Sequence, residues 1–385
     1  MLCHDAADFP MKRSVIHVLQ PTDGGVPHYV AALARHQSDA GWRVEIAAPS
    51  SGPLREWLDD SDVGYLTWEA RRDPGPSIAG EITGLRAILE ASEARVVHLH
   101  SAKAGVAGRW AVKGHRPTVF QPHSWTFEAV PRPLRQVMTA WERLGARWSD
   151  RIVCVSDGER EAGRSAGIHA RWAVVPNGVD LSKWQVPSAS ERDMARARLQ
   201  VAPGPLVVSV GRVRRQKGHD ILLDAWPRVL EKVPDAQLVV VGDGPERGPL
   251  MQRAIRKVSF VGEIPDARDW VVAANLIALP SRYEGMSLAM LEAMASATSV
   301  VTTAVAGARE AMGSESGAIV AIEDRQALAD AITTRLLDRE LAAAEGRAGR
   351  ARIERHHSFE RTVEEMTEVY VAVMVERERS VTDTL

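Results

Sequence analysis

Short apolar runs recur along the chain, and between them apolar residues return every three or four positions. The runs cover residues 15–19, 43–48, 95–100, 118–121, 151–155, 173–175, 206–210, 237–241, 258–261, 275–279, 299–302 and 317–320. Runs of this length predict buried strands, and the longer period predicts amphipathic helices between them. The alternation predicts an α/β protein with parallel sheets that carry helices on both faces.

The strand pattern stops once along the chain. Between residues 182 and 204, scattered Pro, Ser and charged residues replace it, with one short amphipathic piece at 191–199, and the pattern then restarts. A chain of 385 residues fits two domains of about 150 to 200 residues. We therefore predict Rossmann-like domains at 1–182 and 183–358. The last helix, within about 359–385, should pack back on the first domain.

Composition narrows the function classes without selecting one. There are 48 basic and 50 acidic side chains, a net charge of −2, so charge gives no global signal for nucleic acid. Cys3 and Cys154 are the only cysteines, too few for a disulfide framework or a metal cluster. Residues 1–10 lack the basic and apolar regions of a signal peptide, and no apolar run reaches membrane-spanning length. We expect a cytoplasmic protein, attached at most to the inner face of the membrane.

The segment 281–295 follows the apolar run 275–279 and is the most informative stretch. Ser287 can cap a helix whose apolar residues include Leu288 and Leu291. Glu284 precedes the cap, and Glu292 lies on the otherwise apolar helix. An unpaired buried carboxylate is costly, so each carboxylate needs a partner. A polyhydroxylated ligand would supply one.

Residues 211–218, Gly-Arg-Val-Arg-Arg-Gln-Lys-Gly, lie between a predicted buried strand and a predicted helix. Backbone amides, Arg212 and Lys217 would then lie at the carboxyl edge of the sheet, where they can bind a diphosphate. The alternative is a solvated basic loop, which this placement disfavours. Two other glycine turns, at 24–25 and 242–245, fit either close approach to a ligand or an ordinary tight turn.

Four motifs in this order resemble those of a known enzyme family. They are 175–180 (Val-Pro-Asn-Gly-Val-Asp), Gly211-Arg212 with Lys217-Gly218, 242–245 (Gly-Asp-Gly-Pro), and Glu284-x7-Glu292 after Pro280-Ser281. Together they resemble the retaining glycosyltransferases of family 4. The resemblance implies the GT-B fold, in which two Rossmann-like doubly wound domains face a central cleft. The second domain would hold the nucleotide-sugar donor and the first the acceptor.

The resemblance also assigns roles to individual positions. The residues implied in catalysis are His123, Arg212, Lys217 and Glu284, and those implied in donor binding are Gly25, Gly211, Arg212, Lys217, Gly285, Met286, Ser287, Leu288 and Glu292. Arg212 and Lys217 would hold the diphosphate, while Glu284 would contact a sugar hydroxyl and Glu292 the ribose. His123 would lie against the donor sugar; the alternative is a structural histidine at a strand end.

The family implies retention of anomeric configuration, and its commonest donors are UDP-sugars. We expect a glycan or lipid-linked acceptor, no cofactor and no metal. Asp60-Ser61-Asp62 reads as a solvated loop, and His98 and His100 lack zinc-site spacing and read as structural, or for His100 as lining a cleft. A nucleotide-sugar epimerase of the same fold and a non-catalytic nucleotide-sugar-binding protein are the rival hypotheses.

A basic segment with Trp141 and Trp148 contains four arginines, at positions 132, 135, 143 and 147. Such a face can rest on anionic lipid or receive a lipid-diphosphate acceptor. The alternative is a solvated helix whose Trp residues pack inward, which the charge pattern fits as well. Peripheral membrane contact is therefore a hypothesis, and we expect no nucleic-acid partner.

Overall fold

The structure is a computed structural model that describes residues 13–72 and 75–382. Cys3 lies outside these ranges, and so do residues 1–10, on which the prediction of no signal peptide rests. The elements of the first half are β1 (Ser14–Leu19), α1 (Gly25–Asp39), β2 (Arg43–Ala48), β3 (Gly64–Thr67), α2 (Ile78–Ala91), β4 (Val96–His100), α3 (Ser101–Val112), β5 (Thr118–Gln121), α4 (Arg132–Gly145), β6 (Arg151–Cys154), α5 (Asp157–Ser165) and β7 (Trp172–Val174).

The second half repeats the alternation of strands and helices. Its elements are α6 (Ala189–Arg198), β8 (Leu206–Val210), α7 (His219–Lys232), β9 (Gln237–Val241), α8 (Arg247–Met251), β10 (Val258–Gly262), α9 (Arg268–Ala273), β11 (Leu276–Leu279), α10 (Leu288–Ala295), β12 (Val300–Thr303), α11 (Ala308–Met312), β13 (Gly317–Val320), α12 (Arg325–Leu337), α13 (Arg339–His356) and α14 (Phe359–Thr382). None of the described helices is long and apolar enough to cross a membrane.

Two parallel sheets organise these elements. The first has the strand order β3-β2-β1-β4-β5-β6-β7 and the second β10-β9-β8-β11-β12-β13. In both, the order reverses beside the first strand, between β1 and β4 and between β8 and β11. Open α/β sheets bind ligands at such switch points, beyond the carboxyl ends of the strands. The predicted pair of Rossmann-like α/β folds is confirmed.

The described chain divides into two compact units. One contains the residues up to 121, residues 144–152 and those from 367 onward, and the other contains 122–143 and 153–366. Within the first unit, α14 packs through Tyr370, whose hydroxyl lies 2.6 Å from His98 Nδ1 and whose ring meets Trp42 edge-on. The predicted domain boundary at 182 and 183 stays a prediction.

The core of the second unit explains why the helix after β11 is so apolar. Leu291, Met290 and Met294 are almost fully buried among residues of β11 and β12, including Ile277 and Val300. The apolar pattern that predicted this helix therefore reflects burial on nearly all its sides.

Some short elements were not predicted. The edge strand β3 and the helices α9 and α11 have too few residues to show a clear period. The helix α8 is also short, because it ends at Met251. Ala254 and Lys257 then adopt positive φ angles, which a continuing helix does not allow.

Candidate active site

Two loops meet at the switch point of the second sheet. One follows β8 and contains residues 211–218, and the other follows β11 and contains 280–287. Gly218 has a φ of +67°, and a Cβ there would lie 2.0 Å from the carbonyl oxygen of Pro280. A side chain at 218 would therefore force the loops apart, so this glycine is required by backbone packing.

Hydrogen bonds fix the register of the two loops. The Arg282 amide donates to Gln216 O at 2.7 Å, and the Gln216 side chain donates to Tyr283 O at 3.1 Å. Arg282 is also held by both carboxylate oxygens of Asp220, at 2.8 and 2.7 Å. These bonds raise the pKa of the guanidinium above its ordinary range. Arg282 therefore joins the loop after β11 to the loop after β8 and to α7, a contact that we call the clamp. The sequence did not predict this role.

The clamp brings Lys217 and Glu284 together. Lys217 Nζ forms an ion pair with Glu284 Oε1, and Ser281 Oγ donates to the same oxygen at 2.9 Å. Glu284 therefore has a partner within the protein, and its predicted contact with a sugar hydroxyl stays a prediction. The protein supplies the partner from the neighbouring loop, which the sequence separates from Glu284 by 67 positions.

Glu292 differs from Glu284 in its surroundings. Its carboxyl group is half-buried on α10, and it receives no hydrogen bond from the described residues. Burial raises its pKa to about 7, although Lys183 nearby opposes this shift. The group is therefore part-protonated near neutral pH, and it offers oxygen atoms to hydroxyl groups of a ligand.

The N-terminus of α10 faces the same loops. Ser287 is the N-cap residue, as predicted, and its Oγ accepts from the Met290 amide at 3.4 Å. The first helical backbone bond runs from Leu291 N to Ser287 O. The amides of Leu288 and Ala289 precede that bond, so they have no partner within the helix and can bind an anion.

Two side chains outside the predicted set hold the loop before α10. Ser156 Oγ donates to Gly285 O at 3.3 Å, and Asn177 Nδ2 donates to Met286 O at 2.9 Å. A Cβ on Gly285 would lie 2.7 Å from Val155 Cγ2, so the loop has no room for a side chain. Asn177 had been noted only as part of a turn and a family motif.

His123 lies against this loop. Its carbonyl oxygen is 3.2 Å from the position of a Cβ on Gly285. His123 and Ser124 have φ angles of 58° and 146°, which non-glycine residues adopt at a cost and most often near functional sites. Burial lowers the pKa of the imidazole to about 3, so His123 is neutral at physiological pH.

The glycines at 242 and 244 support the loop that carries Arg212. A Cβ on Gly242 would lie 2.1 Å from Gly211 O, and a Cβ on Gly244 would lie 2.3 Å from Val213 O. Close packing of the two loops therefore explains both glycines. Gly211 itself has a φ of +150° and packs against the Lys217 side chain.

Gly25, the remaining predicted site residue, belongs to the first unit. It begins α1 just beyond β1, after Gly24 with a φ of +87°. This places Gly25 at the switch point of the first sheet, and its role in donor binding stays a prediction.

Three buried histidines, His17, His98 and His100, meet in the first unit with ring nitrogens within 4.8 Å of one another. His17 lies 3.0 Å from His100 through Nδ1 and 2.8 Å from Gln37 Oε1 through Nε2. Burial lowers the pKa of His17 to about 4, so the neutral ring donates to Gln37 and accepts from His100. A hydrogen-bond chain accounts for the short spacings. His17 was missed because strand register, not sequence spacing, places it beside His98.

The site in the second unit therefore combines two kinds of ligand-binding groups. Lys217 and the N-terminus of α10 can provide positive charge for an anion, and Arg212 lies on the same loop as Lys217. Glu284 and Glu292 provide oxygen atoms for hydroxyl groups. The combination is suited to a phosphorylated and polyhydroxylated molecule.

Two protein-family sequence models together match most of the chain. Residues 23–183 match the sequence model of Glycosyltransferase Family 4, and residues 204–338 match that of Glycosyl transferases group 1.

Several relatives match over most of their length. The chain is 24% identical over 391 residues to UDP-Gal:alpha-D-GlcNAc-diphosphoundecaprenol alpha-1,3-galactosyltransferase of Escherichia coli, covering 95% of this chain and 98% of the relative. It is 30% identical over 335 residues to alpha-maltose-1-phosphate synthase of Mycolicibacterium smegmatis, covering 77% and 86%.

Among solved structures, Anabaena Alr3699/HepE in complex with UDP and glucose matches with a TM-score of 0.80 at 20% identity. The match covers 92% of this chain and 98% of that chain. The likeness shows that the two chains share a fold.

Proposed function

Because the chain belongs to glycosyltransferase family 4 and has the GT-B fold, we propose that it transfers a sugar from a nucleotide-sugar to a glycan or lipid-linked acceptor. The donor is a UDP-sugar, and the transfer retains the anomeric configuration. The observation that carries this proposal is the Lys217–Glu284 pair, which lies beside the N-terminus of α10 and joins an anion-binding group to a hydroxyl-binding group.

In the proposed reaction, the bond between the sugar's anomeric carbon and the diphosphate oxygen breaks, and the diphosphate leaves with the electron pair. Lys217, Arg212 and the α10 amides stabilise the charge that develops on the leaving group. An acceptor oxygen attacks on the face that the diphosphate leaves. Its proton passes to the departing phosphate oxygen, which becomes more basic as it gains charge. Glu284 and the neutral His123 orient the sugar.

The comparisons support a particular donor and acceptor class. The name of the Escherichia coli relative specifies a UDP-sugar and a diphosphoundecaprenol-linked acceptor, and the Anabaena structure contains UDP and glucose. We therefore propose that this chain uses a uridine diphosphate donor and that its acceptor is a sugar carried on a lipid diphosphate or on a growing glycan.

A panel experiment tests the function and separates it from its rivals. Purified protein is warmed with individual nucleotide-sugars, because a bound donor raises the melting temperature by mass action. The donor that shifts it is then incubated with and without acceptors. Sugar transfer to an acceptor supports the proposal. Conversion of the donor sugar without an acceptor would indicate an epimerase, and a shift without either reaction would indicate a binding protein.

Single substitutions test the leaving-group machinery. Lys217→Ala and Arg212→Ala should each lower turnover by about 100-fold or more, as loss of one charge-stabilising group does elsewhere, while melting temperature is preserved. Lys232→Ala is the matched control, because this exposed cation lies in the last turn of α7. Near-normal transfer by either site variant would contradict the proposed roles.

We also propose that the enzyme needs no metal ion. No group in the site is arranged as a metal centre, and the histidine cluster is the one set of three or more metal-ligating side chains within 4.8 Å found among the described residues. Treatment with a chelator should leave the turnover number unchanged. Loss of activity that is restored by a divalent cation would contradict this proposal.

We further propose that α4 attaches the enzyme to anionic membranes. Leu134, Val137 and Leu144 recur along one face of the helix and are 46%, 58% and 40% exposed, and the exposed Arg132 and Arg135 flank them. An exposed apolar face bordered by arginines is typical of helices that lie in a membrane interface. The alternative, a solvated helix whose Trp residues pack inward, fits the half-buried Trp141 and Trp148 but leaves the exposed Leu134, Val137 and Leu144 unexplained.

Co-sedimentation with vesicles containing phosphatidylglycerol tests this surface. Wild-type protein should sediment with the vesicles at low salt, and Val137→Ser should weaken the association. Val186→Ser is the matched control, since Val186 is 50% exposed but lies outside α4. Absence of wild-type binding, or equal loss in both variants, would refute the attachment of α4.

A further inference from the structure

Glu159 is a fully buried carboxyl group that the proposed mechanism does not use. It lies in the first turn of α5 and is 1% exposed. Its Oε2 accepts from the Val155 amide at 2.7 Å, and its own amide donates to the capping Ser156 Oγ at 3.0 Å. The side chain is therefore turned back over the end of β6 and fixed there.

The same residue holds the strained segment after β5. Trp125 Nε1 donates to the main-chain carbonyl oxygen of Glu159 at 2.7 Å, and the Ser124 backbone amide faces the Glu159 carboxyl group and opposes the rise of its pKa. These two contacts hold the turn in which residues 123 and 124 have positive φ angles. A strained turn persists only when its surroundings fix it, and Glu159 supplies two of those constraints.

Glu159 also lies against the loop 280–287 before α10, which we call the donor loop. A Cβ on Gly285 would be 3.3 Å from Glu159 Oε1 and 3.2 Å from His123 O. One carboxyl group therefore touches the end of β6, the His123 turn and the loop before α10. Moving it would shift His123 relative to the donor loop.

We propose that Glu159 is a positioning residue for sugar transfer, which sets the His123 turn against Gly285 and so places the donor sugar for reaction. The proposal rests on the proposed function. Glu159 acts through His123 and Gly285 and contacts no reacting atom.

The charge of Glu159 gives this role a pH signature. Glu128 and Glu310 act on it electrostatically, Asp157 and Arg160 act together with it on the neighbouring Cys154 thiol, and the neutral His123 is also close. Burial raises the pKa of the carboxyl group to about 8, with the neighbouring acids adding to the shift. The group is therefore protonated at neutral pH and becomes an anion above pH 8.

Ionisation of Glu159 should impair transfer. The new negative charge would be buried beside other acids and next to a loop that binds an anionic donor, so the turn and the loop would separate. Glu159→Gln keeps the shape and the neutral charge of the protonated acid. Glu159→Ala removes the carboxyl group from the turn and the loop, and it keeps the main-chain carbonyl oxygen that accepts from Trp125.

The test compares kcat and donor KM from pH 6 to 9.5 for wild type, Glu159→Gln, Glu159→Ala and the control Glu161→Gln, which changes an exposed acid on α5. Wild type and the control should lose kcat above about pH 8, and Glu159→Gln should retain it. Glu159→Ala should lower kcat at pH 7 about 10- to 100-fold, as misplaced groups do. Donor KM should change less, because positioning acts on the transition state more than on binding.

The outcomes separate this proposal from the function on which it rests. Absence of transfer by wild-type protein would refute the proposed function and this role with it. Active wild type with unchanged kcat in folded Glu159→Ala would overturn the positioning role alone. If Glu159→Ala does not fold, the Glu159→Gln variant decides. Loss of its kcat above about pH 8, as in wild type, overturns the proposal, and a kcat that persists above pH 8 supports it.

Discussion

Donor binding should weaken at mildly acidic pH because of Glu292. This carboxyl group is half-buried on α10 and receives no hydrogen bond from the described residues, and burial raises its pKa to about 7. A carboxylate accepts hydrogen bonds from ribose hydroxyls better than a neutral acid does. The affinity for the donor should therefore be highest well above pH 7 and should fall as the pH drops through about 7.

The size of the effect follows from the titration. With a pKa of about 7, the ionised fraction falls from about nine-tenths at pH 8 to about one-tenth at pH 6. If the ionised form binds the donor, its Kd rises about tenfold across this range, which is about 1.4 kcal/mol. The stability of the fold depends on pH in the opposite direction. Because burial favours the neutral form of Glu292, its contribution to the free energy of unfolding is complete below the unfolded pKa of 4.5 and is lost as the pH rises through about 7.

Calorimetric titration of a UDP-sugar at several pH values measures the dependence. A UDP-sugar is suitable because its diphosphate is a diester and does not titrate in this range. Glu292→Gln should bind more weakly at pH 8, with a pH-independent Kd, and should be more stable to urea than wild type at that pH. Glu231→Gln, an exposed acid on α7, should behave as wild type. A wild-type Kd that does not change between pH 6 and 8, or an equal slope in Glu292→Gln, would refute the reasoning.

Three further substitutions test the packing of the site. Gly285→Ala places a methyl group 2.7 Å from Val155 Cγ2, so it should displace the donor loop and lower kcat about tenfold or more in a protein that still unfolds cooperatively; wild-type kinetics would contradict the close packing. Arg282→Ala removes the paired bonds to Asp220 and should lower the free energy of unfolding by about 2 kcal/mol in urea titration; an unchanged midpoint would argue against the clamp. Leu291→Ala empties a fully buried position and should cost about 2 to 5 kcal/mol in the same assay, and a cost within the range of surface substitutions would contradict its burial.

The sequence predicted the site loops because their signals are local. A buried strand, a glycine turn and a capped helix occupy adjacent positions, so Ser287 and the start of α10 could be placed from sequence alone. The partner of Glu284 could not, because Lys217 lies on the other loop and the distance depends on the packing of Gly218 against Pro280. The roles of Arg282 and Glu159 were missed for the same reason.

The histidine cluster shows the limit of spacing arguments. His98 and His100 show no zinc-site spacing in the sequence, but His17 joins them through the register of β1 against β4. Register is set by pairing along the whole strand, and a linear motif does not contain it. Whether three such rings form a metal site or a hydrogen-bond chain depends on Gln37 of α1 and on Tyr370 of α14, which is 272 positions from His98.

Apolar periodicity and glycine placement, read from the sequence by itself, determined the repeated α/β architecture and the segments that form the candidate site. These properties depend on each residue's neighbours along the chain, and burial of apolar surface enforces them. Only the tertiary structure decided which charges meet. It paired Lys217 with Glu284, left Glu292 without a hydrogen-bonding partner among the described residues, and buried Glu159 against the His123 turn, because these contacts depend on how the loops pack in space.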